Sequence, residues 1–162
     1  MGIKSSFAPG IDKHTRVVIL GSLPGDASLA AQQYYAHPRN QFWRLIGDLL
    51  QQELTCLPYS ERLPVLLHHH IGLWDVVGHA ERHGSLDSAL RHINPNDLDH
   101  LRAQCLGLRA VGCNGQTATR HAQGLTAHGI AVLALPSSSP AHTRAYAEKL
   151  AVWRQLLPFI LE

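Results

Sequence analysis

Arg16-Val17-Val18-Ile19-Leu20-Gly21-Ser22-Leu23-Pro24-Gly25 is the stretch whose reading decides the fold. The apolar, largely β-branched run at 17–20 predicts a short strand over 16–21, buried on both faces as strands of a parallel sheet are. Gly21 and the Pro24-Gly25 step end it. The connection that follows is crowded: Tyr34-Tyr35-Ala36-His37-Pro38-Arg39-Asn40 runs into Gln41-Phe42-Trp43, where a helical repeat begins. Two tyrosines, an imidazole, a guanidinium and an amide in one long connection mark a site rather than a solvated linker.

Outward from this stretch, Phe42, Leu45, Ile46, Leu49 and Leu50 recur at helical spacing and predict a helix to about residue 54, with a second over 60–70. Further strands are expected over 71–77, 108–113 and 130–135. Between them lie a polar, His-rich loop at 78–84, a short helix at 87–92, a helix over 98–104 and another over 116–127 that Gly129 ends. Ser139 as N-cap and Pro140 as first helical residue predict a final helix through residue 157. Residues 1–15, with a Pro9-Gly10 turn, read as an irregular lead-in.

Short buried strands alternating with helices give an α/β layered fold with a mainly parallel sheet, and 162 residues suit a single domain. In such sheets ligands bind beyond the carboxyl ends of the strands. Those ends are Gly21-Ser22, Trp74-Asp75, Asn114-Gly115 and Ser137-Ser138-Ser139, which a parallel sheet brings to one rim.

Composition narrows the classes. A formal net charge of +2 permits a polyanionic partner without demanding one. Cys56, Cys105 and Cys113 form no C-x-x-C pair, which argues against a disulfide framework, a zinc site or an iron–sulfur cluster. No apolar run approaches the ~20 residues of a membrane span. The N-terminus lacks the apolar core of a signal peptide, and its acylation-like Met1-Gly2 start has no basic cluster beside it. A soluble intracellular protein is expected.

Familiar catalytic signatures fit poorly. Gly21-Ser22-Leu23-Pro24-Gly25 is not G-x-G-x-x-G, and Pro24 removes a donor where a phosphate cradle needs one. No G-K-[ST] is present. His68-His69-His70 point different ways on a helix, so they read as a solvated helix end. Pro136-Ser137-Ser138-Ser139 lacks the glycines of a nucleophile elbow. What remains is a set of parts for holding a flipped nucleotide: Tyr34, Tyr35 and Trp74 to stack a base, Asn40, Asn114 and Asp75 to read its edge or handle a water, and hydroxyl-rich turns for phosphate.

Three segments carry a family resemblance: Gly21-Ser22-Leu23-Pro24-Gly25, then Tyr35-Ala36-His37-Pro38-Arg39-Asn40-Gln41-Phe42-Trp43, then Leu135-Pro136-Ser137-Ser138-Ser139-Pro140-Ala141. Together they resemble the uracil-DNA glycosylase superfamily, and within it the DNA-deoxyinosine (hypoxanthine-DNA) glycosylases. The resemblance implies a three-layer α/β/α sandwich around a four-stranded parallel sheet. It implies hydrolysis of the N-glycosidic bond of a deaminated base in DNA, hypoxanthine first, without cofactor, metal or iron–sulfur cluster. A monomer without membrane contact, cytoplasmic and nucleoid-associated, is expected.

Two departures fall at functional places. Leu23 stands where much of the superfamily carries an Asp or Asn that handles water, and Leu135 where several branches carry a His or Asn for the departing uracil. Both substitutions are typical of the deoxyinosine branch, whose important polar residue matches Asn40. On this basis Asn40 is the expected catalytic residue. Gly21, Ser22, Leu23, Pro24, Gly25, Tyr35, Trp74, Asp75 and Asn114 are expected around the base. Ser28, His37, Arg39, Ser137, Ser138, Ser139 and Arg144 are expected on the DNA. Three alternatives stay open: a damage-binding module without chemistry, a uracil or mismatch glycosylase of the same superfamily, and a small-molecule nucleoside enzyme on the same scaffold.

Overall fold

Apolar runs become strands where neighbours bury both their faces, and the first strand's prediction holds almost to the residue. The computed structural model describes residues 2–160, so Met1 of the acylation-like start and the last two positions of the expected 1–162 domain lie outside the described residues. In chain order the elements are β1 (Ile3–Ser5), β2 (Val17–Gly21), α1 (Asp26–Ala31), α2 (Phe42–Leu50), α3 (Tyr59–His68), β3 (Ile71–Asp75), β4 (Val77–Glu81), β5 (Arg91–Pro95), α4 (Asp99–Gln104), β6 (Ala110–Asn114), α5 (Gln116–Ala122), β7 (Ala131–Leu135), α6 (Tyr146–Trp153) and α7 (Leu157–Ile160).

The central sheet is parallel, in the order β3-β2-β6-β7. Period-2 alternation sends Val17 and Ile19 to one face and Val18 and Leu20 to the other. The first face packs on Phe42, Leu45, Ile46 and Leu49 of α2, Leu66 of α3 and Trp153 of α6. The second packs on Leu101 of α4 and Ala118 and Ala122 of α5. Helices on both sides of the sheet make the three-layer sandwich. Register then aligns the strand ends, pairing Gly21 with Asp75 and Asn114 with Leu135.

Four local expectations are corrected. The lead-in is not wholly irregular: β1 pairs antiparallel with β4, Ile3 facing Glu81 and Ser5 facing His79. The polar 78–84 stretch holds most of β4, the central strand of a second sheet ordered β1-β4-β5. Backbone pairing on both sides, rather than an apolar face, makes it a strand. The expected helix at 87–92 shrinks to one 3-10 turn at Asp87–Ala89 before β5. The final helix starts at Tyr146 rather than Pro140. Tertiary bonds hold 136–145 as a loop instead: Trp153 Nε1 donates to the Pro136 carbonyl at 2.9 Å and the buried Lys149 Nζ to the His142 carbonyl at 2.8 Å.

Phe42 joins this scaffold to the long connection. It is fully buried, stacks on Tyr35 at 4.1 Å between centroids, and meets Trp43 and Trp153 edge-on. Truncating such a side chain leaves a cavity that the surrounding rings cannot fill. Phe42→Ala is expected to lower unfolding free energy by about 3–5 kcal/mol in urea titration. A loss below about 1 kcal/mol would show that the ring cluster is not what clamps the connection to α2.

Candidate active site

The carboxyl ends of the parallel strands open into a cavity of about 490 Å³. That is within the range of small-molecule sites. Gly21, Asp75 and Asn114 form its floor as the last residues of β2, β3 and β6. Residues 22–25, 27, 28, 34, 35, 37 and 40 of the long connection, 85–87 after β4, and 137–142 after β7 supply the walls.

Asn40 sits where three segments meet. Its Oδ1 accepts from the Phe42 N–H at 2.9 Å, an Asx turn that starts α2, and from the Ser138 hydroxyl at 2.8 Å. Ser138 Oγ in turn accepts from Asn114 Nδ2 at 2.9 Å, while Asn114 Oδ1 accepts from the Ser138 N–H at 2.8 Å. The Ser138 carbonyl takes the Gln41 N–H at 3.0 Å. Both lone pairs of the Asn40 carbonyl are thus spent on positioning. Its NH₂ group has no protein partner among the described residues and is left to the cavity it lines.

Tyr35 adopts a left-handed backbone (φ 56°), unusual for a bulky residue. The turn separates it from Tyr34, which points into the core and donates its hydroxyl to the Ala8 carbonyl. Gly21 makes room for what Tyr35 brings. A Cβ on Gly21 would lie 2.6 Å from Asp75 Oδ1 and 2.8 Å from the Tyr35 hydroxyl. The Tyr35 hydroxyl and Asp75 Oδ2 are buried with no hydrogen-bond partner among the described residues. Buried polar groups are almost always paired, so these two side chains at the cavity floor keep hydrogen-bonding capacity that the described protein atoms do not use.

Burial raises the Asp75 pKa to about 7; the nearby Asp87 carboxylate adds to this and the Arg82 guanidinium works against it. Burial first, and then the Asp75 charge, push the Tyr34 and Tyr35 phenols well above their ordinary range. Both stay protonated wherever Asp75 titrates.

Other expected residues are distributed unevenly. Leu23 is buried in the second core cluster and lines the cavity; Pro24 and Gly25 line it beside Leu23. Ser22 lines it too, but its hydroxyl donates to Asp87 Oδ1 at 2.6 Å. Ser28 is buried and accepts the Ala36 N–H, so it braces the connection. His37 does likewise, accepting the Arg39 N–H at Nδ1 and the Asn40 N–H at its carbonyl. Ser137 and Ser139 are half-buried, and each accepts one backbone N–H from within the loop. Arg39 is exposed outside the cavity, and Arg144, also outside it, pairs with Glu148.

Two expectations need correction. Trp74 does not line the cavity: alternation along β3 turns it to the sheet face opposite Asp75, into the second core cluster, where its Nε1 donates to the Phe7 carbonyl. Ser138 is not available to phosphate, because it is 1 % exposed and its N–H, C=O and Oγ are all engaged within the protein.

Sequence reading missed the wall at 82–87. Arg82 is buried, donating to the Pro24 carbonyl at 2.6 Å and the Gly84 carbonyl at 3.0 Å. Ser85, Leu86 and Asp87 line the cavity, as does His142 of the loop after β7. No residue pattern flags this segment, because its position comes from the second sheet. Among the described residues no group of three or more His, Cys, Asp or Glu is placed to hold a metal ion, and no helix is long and apolar enough to cross a membrane.

The family model of the uracil DNA glycosylase superfamily matches residues 9–157. A hypoxanthine DNA glycosylase of Methanosarcina barkeri is 37% identical over 94% of this chain and 96% of its own length. One of Methanosarcina acetivorans is 38% identical over 93% and 96% respectively. The solution NMR structure of a Methanosarcina acetivorans protein, described as a candidate uracil DNA glycosylase, superposes with a TM-score of 0.90 at 36% identity, covering 99% of this chain and 100% of that one. With a match that takes in the strand ends, the long connection and the loop after β7 together, the chain belongs to the uracil DNA glycosylase superfamily.

Proposed function

We propose that this protein is a DNA glycosylase that removes hypoxanthine from deoxyinosine in DNA and leaves an abasic site. The observation that carries the reading is the orphan pair in the cavity, Asp75 and the Tyr35 hydroxyl around Gly21, with the Asn40 amide lining the same space. The names of the two Methanosarcina relatives support it. Action as a monomer is part of the same reading. The same reading puts its action in the cytoplasm, on the DNA of the nucleoid.

Deamination of adenine replaces an exocyclic amine with a carbonyl and puts a proton on the adjacent ring nitrogen. The resulting N–H and C=O edge needs one acceptor and one donor. A neutral Asp75 carboxyl supplies both, and the Tyr35 hydroxyl adds a second donor for the carbonyl oxygen. As the N9–C1′ bond breaks, its electron pair moves onto the base and charge gathers on that oxygen. Donors aimed there stabilise the transition state, whereas an ionised carboxylate would repel it. Water then adds through its oxygen to C1′, and its proton leaves to the base or to solvent.

Asn40 acts by orientation. An amide cannot take a proton at neutral pH, and its carbonyl is already committed to Phe42 and Ser138. Its fixed N–H groups hold the attacking water in line with the sugar. The second loop contributes rigidity through Ser138, and Ser137 and Ser139 keep hydroxyl protons to offer flanking phosphates.

Asn40→Ala is expected to lower single-turnover excision from a deoxyinosine duplex by about 10²-fold or more with little change in duplex affinity. Excision at the wild-type rate would remove Asn40 from the chemistry, and faster excision from a uracil duplex run beside it would overturn the choice of base. Asp75 gives a pH test. Its carboxyl is neutral below about 7 and charged above, so the rate is expected to fall as pH rises through about 7. Asp75→Asn, neutral throughout, is expected to flatten that limb. A rate that instead rises through this range and loses its rise in Asp75→Asn would make the carboxylate the active form.

A further inference from the structure

We propose that a second cavity, built around Arg62 of α3, is a phosphate site that takes a backbone phosphodiester of the DNA strand being repaired; this rests on the reading of the protein as a DNA glycosylase. The cavity has a volume of about 280 Å³. Tyr34, Tyr35, His37 and Asn40 line it and the strand-end cavity alike, so one stretch of chain is the partition between the two. Trp43, Thr55 and Arg62 line the second cavity only.

Charge is sorted between the two spaces. Asp75 and Asp87 line the strand-end cavity, whereas no Asp or Glu among the described residues lines the second. What the second cavity holds is a guanidinium. Arg62 Nε donates to the Leu57 carbonyl at 3.0 Å and Nη2 to the Thr55 carbonyl at 3.3 Å, with the guanidinium carbon 5.5 Å from the Trp43 ring centroid. Its Nη1 has no acceptor, and no carboxylate pairs with it, among the described residues. Two carbonyls and a ring thus fix the fork without neutralising it. An arginine held this way stays charged and matches the oxygens of a phosphate. The partition adds donors. His37 Nδ1 accepts the Arg39 N–H, which leaves the ring proton on Nε2, and Gln33 brings a carboxamide.

The arrangement is pinned in place. The Tyr59 hydroxyl of α3 accepts the Tyr34 N–H at 3.0 Å, and Trp43 Nε1 of α2 donates to the Tyr34 carbonyl at 3.0 Å. Both helices are thereby tied to the partition. A nucleobase and the phosphate beside it are separated by one sugar, and here the two cavities are separated by one stretch of chain. The residues expected on phosphate are largely engaged elsewhere: Ser28 and Ser138 are buried and bonded within the protein, and Arg144 pairs with Glu148. Arg62 supplies the cation that set lacks. Neutralising a phosphate there releases counterions, which ties the contact to salt concentration.

The test removes each side of the contact in turn. Binding of the full chain is measured on duplexes with 2′-fluorodeoxyinosine, which resists hydrolysis, and with single uncharged methylphosphonate linkages placed one at a time around it. Arg62→Gln is expected to bind the unmodified duplex about tenfold more weakly and to lower the salt slope by about one. At one linkage the methylphosphonate should weaken the wild type by a similar factor and Arg62→Gln by less than about twofold, because one contact is lost only once. Ala36→Glu puts a carboxylate in the second cavity and leaves Arg62 in place. It should lose at least as much, at the same linkage. Wild-type affinity in either variant, or losses that add in full at every linkage, would overturn the proposal; full addition would assign Arg62 to packing on Trp43. Inorganic phosphate separates the sources of the anion. If it protects the wild type but not Arg62→Gln from thermal unfolding while no linkage couples to Arg62, the cavity takes free anions and the assignment to DNA fails. Every readout is binding, so a protein that releases no base yet shows the coupled linkage loses its proposed function and keeps the phosphate site.

Discussion

One buried serine holds the two halves of this site together. Every hydrogen-bonding group of Ser138 is committed: the N–H to Asn114, the carbonyl to Gln41, and the hydroxyl to Asn40 as donor and Asn114 as acceptor. The loop after β7 is thereby fastened to the end of β6 and to the start of α2 at once. In a buried setting such a network is strong when complete and costly when one partner is lost. The position of the Asn40 amide follows from it. The irregular backbone of 136–145 is held in the same manner, the carbonyls of Pro136, Ser138 and His142 accepting from Trp153, Gln41 and Lys149.

A second arrangement acts at the floor. Gly21 and Asp75 end adjacent parallel strands, and the absence of a side chain on Gly21 admits both the Asp75 carboxyl and the Tyr35 hydroxyl. Neither is satisfied by protein, and both are kept uncharged over the lower part of the neutral range by burial. The fold tolerates this strain of unpaired polar atoms because Phe42 and the aromatic cluster fix Tyr35 from the other side. Unpaired buried polar groups cost stability, and here that cost falls at the floor of the cavity.

The small antiparallel sheet changes how the mouth of the cavity is understood. β4 and β5 carry between them the segment that presents Arg82, Ser85, Leu86 and Asp87. Ser22, chosen from the sequence as a base contact, turns out to anchor that segment through Asp87. The first loop therefore has two duties. Its backbone lines the pocket, and its side chains hold the rim.

From the sequence alone came the parallel sheet, the convergence of strand ends, and the loop residues Tyr35 and Asn40, because buried β-branched runs and glycine or proline breaks are written locally. The family resemblance came from the same short motifs. What tertiary structure decided lies in long-range bonds that no window of residues contains. Trp74 and Asp75 are neighbours in the chain, yet pleating sends one to the core and the other to the cavity. Ser137, Ser138 and Ser139 look equivalent, yet only the middle one is buried and spent on Asn40 and Asn114. β4 is polar and shows no strand pattern, since its conformation is dictated by partners at Ile3–Ser5 and Arg91–Pro95.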